Sequence, residues 1–301
     1  MPTDEAARQA PQDTGSDQLK LAVCVSHSPG MMRDTDHSQG LEFRRGLARV
    51  RVAVETFSPE LVVLFGTDHW RGFPENVPAV AVLTTATGLG DLGSPEGPYA
   101  VPEELAVDTA RSLLHRGIDC ALVRKGRLDH GFGQAAADVL GGIDRYPVLP
   151  VFLNCALPPL MPAARAAIIG QAIGDILARA GRVLFVASGG LSHDPPSLAE
   201  SAYGLSDADR RRLNAAGAAE AARRVRPDLD ERFLHALSRR DSDWMAGLED
   251  WYLPSAGGGG NEIRTWLACW GAAGGGLDKI AYEAVPEWIT GMGAAGSAWA
   301  F

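Results

Sequence analysis

Leu19-Lys-Leu-Ala-Val-Cys-Val-Ser26 is a short apolar run rich in β-branched residues that stops at the turn His27-Ser-Pro-Gly30. A buried strand running into a loop has this look. The same grammar recurs at Glu60-Leu-Val-Val-Leu-Phe-Gly66, preceded by a helical stretch over 41–57 and followed by the polar turn Thr67-Asp-His-Trp70. Working outward, further strands are expected over 77–83, 118–123, 147–153 and 182–187, with Ala- and Leu-rich helices over 102–115 and 160–180. Such alternation predicts an α/β fold, layered α/β/α around a largely parallel or mixed central sheet. From 206 to 248 the sequence turns charged, Ala- and Arg-rich, which predicts a helical C-terminal half with a helical insertion at about 200–255. Ser255-Ala-Gly-Gly-Gly-Gly260 reads as a mobile loop, because glycine loses the most backbone entropy on ordering. Asn261 is then placed to cap a helix carrying Glu262 in its first turn, and a last strand is expected near 279–283.

The chain has 301 residues, 46% of them hydrophobic, enough to bury a substantial core. Residues 1–18 are polar and lack an apolar stretch, so they read as a disordered tail and not as a secretory leader. Residues 19–301 read as a single domain. A net charge of −9 argues against nucleic acid or an anionic membrane surface as partner, since both are held by clustered Lys and Arg. No apolar run approaches the length that spans a bilayer. The four cysteines are widely spaced, without a CxxC pair, which fits reduced thiols in the cytoplasm. A small-molecule partner is the expectation.

Of seven histidines, four sit in polar turns after apolar segments or opening Gly-rich loops: His27, His69, His130 and His193. In open α/β sheets the ligand crevice lies at the carboxyl ends of the strands, so such residues can converge from distant points of the chain. A single loop histidine is usually just a hydrogen-bonded one; four in equivalent places are harder to dismiss. His115, near a helix end, suits terminal carbonyls, and His235 suits a helix surface. His37 stays undecided, in a loop able to border a pocket. The segment Gly189-Gly-Leu-Ser-His193 lacks the GxSxG elbow of a serine hydrolase.

Taken together, Ser26-His-Ser-Pro29, Phe57-Ser-Pro-Glu-Leu-Val-Val-Leu-Phe65, Asp68-His69, Asp129-His-Gly-Phe132, Pro147-Val-Leu-Pro-Val-Phe152, Ser188-Gly-Gly-Leu-Ser-His193, Glu262-Ile-Arg-Thr-Trp266 and Pro286-Glu-Trp-Ile289 resemble the class III extradiol ring-cleavage dioxygenases, the LigB superfamily. The likeness is strongest to its 2,3-dihydroxyphenylpropionate 1,2-dioxygenase branch and weak before Lys20 and between about 197 and 260. The resemblance implies Fe(II) held by His27, His69 and Glu262, with His130 and His193 as acid and base in an order left open. Two imidazoles and one carboxylate leave coordination positions free for a catecholate and O2. The implied reaction is extradiol opening of a catechol ring, either 3-(2,3-dihydroxyphenyl)propionate or another 3-substituted catechol, by a cytoplasmic homo-oligomer. A relative acting on a different catechol or an aminophenol, a non-oxygenase metal-binding protein on this scaffold, and a zinc hydrolase are the competing expectations; the last lacks an HExxH motif.

Overall fold

The computed structural model describes residues 19–301; the tail expected over 1–18 lies outside them. Eleven strands occur among the described residues: β1 (Lys20–Val25), β2 (Leu61–Gly66), β3 (Val80–Leu83), β4 (Ala86–Leu89), β5 (Glu96–Pro98), β6 (Ala121–Val123), β7 (Gly126–Leu128), β8 (Val148–Leu153), β9 (Val183–Ser188), β10 (Leu277–Val285) and β11 (Thr290–Ser297). Eight form the main sheet, in the order β10-β11-β1-β9-β2-β8-β3-β6. Its centre is parallel, with β1 and β2 both pairing to β9 and β8 pairing to β2. β11 joins β1 antiparallel on one side, and β3 joins β8 antiparallel on the other. The sheet is therefore mixed.

The helices are α1 (Pro29–Arg33), α2 (Leu41–Phe57), α3 (Glu103–His115), α4 (His130–Ala135), α5 (Ala163–Ile176), α6 (Asp207–Arg223), α7 (Pro227–Leu237), α8 (Leu248–Trp251) and α9 (Ile263–Ala273). Central strands are buried on both faces, which is why their sequence reads as unbroken apolar runs. Alternate residues feed two cores. Val63, Phe65 and Phe185 pack with α3, α5, α7 and α9. Val62, Leu64 and Leu184 pack with Phe43, Val50 and Val54 of α2 and Phe132 of α4. The result is the expected α/β/α layering.

Local departures have physical causes. The strand expected from 77 begins only at Val80, after Pro78, which has no N–H for a sheet ladder. β11, Thr290-Gly-Met-Gly-Ala-Ala-Gly-Ser297, carries too little strand propensity to be read from sequence. It is nonetheless fully buried, because small residues fit the narrow gap between the sheet and Leu191 and Trp266. The helical C-terminal half thus ends in a β10–β11 hairpin that completes the sheet. A small sheet of β5, β4 and β7 was not foreseen either.

One buried carboxylate ties the helical stretch to the sheet end. Asp230 of α7 accepts hydrogen bonds from Ser192 N (2.9 Å), Ser192 Oγ (2.7 Å), Tyr252 Oη (2.9 Å) and Tyr282 Oη (2.8 Å). Burial raises its pKa, and these donors oppose that rise. Asp230→Ala strands several buried donors and is expected to cost about 3 kcal/mol or more. A thermal unfolding transition lowered by several degrees is the predicted result, and an unchanged one would contradict it.

Candidate active site

The carboxyl ends of β1, β9 and β2 lie side by side, and the turns leaving them carry the site. His27 follows β1, His69 follows β2, and Ser188 ends β9. His130 opens α4, whose N-cap is Asp129. Glu262 immediately precedes α9, a helix buried from Ile263 to Ala272. α9 is seated on α5 with the backbones nearly touching: a Cβ on Gly170 would lie 1.8 Å from the Ala268 carbonyl oxygen.

All four turn histidines meet here, each held by its Nδ1. His27 Nδ1 lies 3.0 Å from Ser188 Oγ, whose own hydroxyl donates to the Gly131 carbonyl, so Nδ1–H is the donor. His69 Nδ1 donates to Asp129 Oδ2 (3.0 Å), His130 Nδ1 to Asp91 Oδ2 (2.7 Å) and His193 Nδ1 to the Leu191 carbonyl (3.0 Å). With these tautomers assigned from the network, Nε2 is the nitrogen that each neutral ring leaves for a further partner. Three of them face Glu262: His69 Nε2 at 3.2 Å, His193 Nε2 at 3.7 Å and His27 Nε2 at 4.0 Å. Glu262 Oε2 also accepts the Gly190 N–H at 2.6 Å.

Three donor sets could hold a metal ion. One is His27, His69 and Glu262, by the distances from Nε2 to the carboxylate. Ligating atoms within 4.8 Å of one another also occur in His27, His69 and His130 and in Asp91, Asp129 and His130. Ring orientation separates the first from the second. His27 stands edge-on to His69 at 88°, whereas His130 is stacked on His69 at 25° with centroids 4.3 Å apart. Lone pairs lie in the ring plane, so stacked imidazoles aim theirs side by side and not at a common point.

The electrostatics favour a cation at this spot. Burial alone would raise the Glu262 carboxyl, yet the His69 hydrogen bond and the surrounding imidazoles hold it well below its usual range. Burial also works against a charged His69, but Asp129 and then Glu262 on its two sides lift its pKa to about 10. His27, with no carboxylate on Nδ1, is pushed down to about 3, chiefly by burial. A buried carboxylate facing imidazoles and shielded from water is the donor chemistry a divalent cation of the first transition row takes, the ion displacing the proton that His69 otherwise keeps.

His27, His69, His130 and His193 line the floor of a cavity of about 130 Å3, walled by Pro29, Leu92, Leu198, Trp288 and Ile289. Leu92 (φ 50°) and Ile289 (φ 56°) are in the left-handed region, strained for any residue with a Cβ and more so for a β-branched one.

Several expectations need correction. The Gly257–Gly260 run is packed, not mobile: a Cβ on Gly259 would lie 2.0 Å from His193 Nε2, so glycine lets the backbone cover that ring. Gly259 N–H also donates to the His193 carbonyl, fixing the loop. Asn261 does not cap α9; its side chain bonds the Gly258 carbonyl and Arg264. His37 is exposed and outside the cavity lining, whereas His115, at the end of α3, and His235, on the surface of α7, stand as expected. Asp129, adjacent to His130 in sequence, chiefly holds His69. The partner of His130 is Asp91, which sits in a Gly-rich turn and carries no sequence signal. Ser188, the anchor of His27, and Arg71, which contacts Asp91 (3.2 Å), were also missed.

Residues 21–293 match the family model described as the catalytic LigB subunit of aromatic ring-opening dioxygenase. A 2,3-dihydroxyphenylpropionate/2,3-dihydroxicinnamic acid 1,2-dioxygenase of Paraburkholderia xenovorans (strain LB400) is 37% identical over 91% of this chain and 96% of that protein. A protein of the same description from Cupriavidus necator is 38% identical over 89% of this chain and 95% of its own length. One from Rhodococcus sp is 33% identical over 91% and 97%. Among solved structures, the uncharacterized protein JW3007 of Escherichia coli K12 superposes with a TM-score of 0.55 over 92% of this chain and 99% of its own, at 16% identity, a likeness of fold alone. With a match that runs nearly end to end, the chain belongs to the LigB family of aromatic ring-opening dioxygenases.

Proposed function

We propose that this protein cleaves a 3-substituted catechol, 3-(2,3-dihydroxyphenyl)propionate in the first place, with O2 at an Fe(II) centre held by His27, His69 and Glu262. The observation that carries this is the set of Nδ1-anchored imidazoles facing one buried carboxylate on a cavity floor. The named activity of the relatives supports the substrate. When bound, the ferrous ion supplies a place for catecholate and O2 to meet and a path for electrons between them.

The chain's own residues do the rest. The partly exposed His193, backed by a neutral carbonyl, accepts the proton of a ring hydroxyl at Nε2. His130, backed by the Asp91 carboxylate, suits the complementary task of carrying a proton to the substrate after oxygen attack. Asp91 stabilises the imidazolium that this requires, and Arg71 keeps Asp91 in place. The apolar walls hold the ring and exclude water. Cleavage beside the two hydroxyl-bearing carbons gives a muconic semialdehyde-type product that keeps both atoms of O2.

The proposal treats residues 19–301 as one catalytic unit. It includes a cytoplasmic setting, supported by four free cysteines. It also includes self-association, for which exposed Val52, Trp299 and Phe301 around one surface groove supply an apolar patch.

Iron-loaded protein given 3-(2,3-dihydroxyphenyl)propionate is expected to consume one O2 per catechol and to form the ring-opened acid by mass; no oxygen uptake would contradict the proposal. His69→Ala should purify with little metal. His193→Ala and His130→Ala should keep near wild-type metal while turnover falls roughly 10²- to 10⁴-fold, the usual worth of a general acid or base. Full turnover in either one would remove it from that role.

A further inference from the structure

The cavity changes character from floor to mouth. Its floor is the buried histidine cluster, whereas one wall is the face of α6 made by Asp207, Arg210, Arg211 and Asn214. Their spacing of three, four and seven residues puts all four on one side of a helix. Arg33 of α1 also lines the cavity and, like Arg211, is exposed, which places both at the mouth.

The charges on this wall are not balanced. Asp207 is taken by Arg71 at 2.8 Å. Among the described residues, no carboxylate lies within ion-pair distance of Arg33, Arg210 or Arg211. Arg210 is buried to 8% exposure, lies over the Trp70 ring at 4.7 Å and donates from Nη1 to the His69 carbonyl, yet its Nε has no partner. A buried guanidinium with an unpaired donor in a cavity wall is costly unless something anionic completes it. On a chain of net charge −9, three uncompensated cations around one opening are a local reversal of sign.

We propose that Arg33, Arg210 and Arg211 form a carboxylate subsite. A catechol with its diol on the histidine floor points a short side-chain acid between them, and the enzyme thereby prefers acid-bearing catechols over neutral ones. This rests on the ring-cleavage function above and adds the residues that read the substrate's tail.

The test uses Arg33→Gln combined with Arg211→Gln, because both are exposed and neither bonds a histidine of the floor. Arg179→Gln, an exposed charge outside the cavity lining, is the control. One readout is the ratio of kcat/KM for 3-(2,3-dihydroxyphenyl)propionate to that for neutral 3-propylcatechol. The second is calorimetric binding of unreactive 3-phenylpropionate against 3-phenylpropan-1-ol, which needs neither iron nor oxygen. The double variant should lose roughly ten-fold or more of the acid preference in both readouts, as expected for lost charge-assisted hydrogen bonds, and Arg179→Gln should lose none. An unchanged ratio, or an equal fall for acid and neutral ligands, overturns the subsite while leaving ring cleavage standing. Arginine-dependent binding of 3-phenylpropionate by a protein that cleaves neither catechol would overturn ring cleavage and leave the subsite standing.

Discussion

Every feature of the cavity floor depends on which nitrogen of each imidazole is spoken for. A histidine free to rotate offers either nitrogen to a partner, and four such rings would define no site. Here Ser188, Asp129, Asp91 and the Leu191 carbonyl each take an Nδ1–H, leaving Nε2 as the free nitrogen of each ring. The anchors differ in charge, and the chemistry differs with them. Asp129 behind His69 favours positive charge on that ring, and Asp91 behind His130 works the same way against the burial that lowers its pKa, whereas burial keeps His27 neutral and His193 rests on a backbone carbonyl.

The scaffold makes this possible because neighbouring parallel strands deliver their exit turns to one edge. β1, β9 and β2 are adjacent, and their register sets Val25 beside Ser188 and Phe65 beside Ala187. Side chains far apart in sequence therefore arrive together without long loops. Glu262 comes from the opposite direction, at the start of a helix clamped against α5 and against the sheet. The helical stretch contributes twice more: Asp230 pins Ser192 next to His193, and α6 lines the cavity with its arginines. The helical insertion expected from the sequence is thus part of the pocket.

What was legible in the sequence follows from locality. Apolar runs ending in histidine turns expose both the parallel strands and the four imidazoles, because strand burial and turn chemistry are local signals. Glu262 was singled out only by resemblance, since an acid at a helix start is common. β11 was invisible because its glycines and alanines are chosen to fit a gap set by Leu191 and Trp266, a tertiary requirement. The Gly257–Gly260 run was misread for the same reason: glycine marks either freedom or close approach, and only the position of the His193 ring tells which. Asp91, Ser188 and the pairing of Asp129 with His69 across 60 residues likewise depend on contacts that no local pattern announces.

Anomalous diffraction at the iron edge, from crystals grown and loaded without oxygen, tests the centre of this account most directly. It predicts one metal peak at roughly 2.0–2.2 Å from His27 Nε2, His69 Nε2 and a Glu262 oxygen, with His130 and His193 nearby and uncoordinated. A peak bound instead through His130, or seated among Asp91, Asp129 and His130, would contradict it.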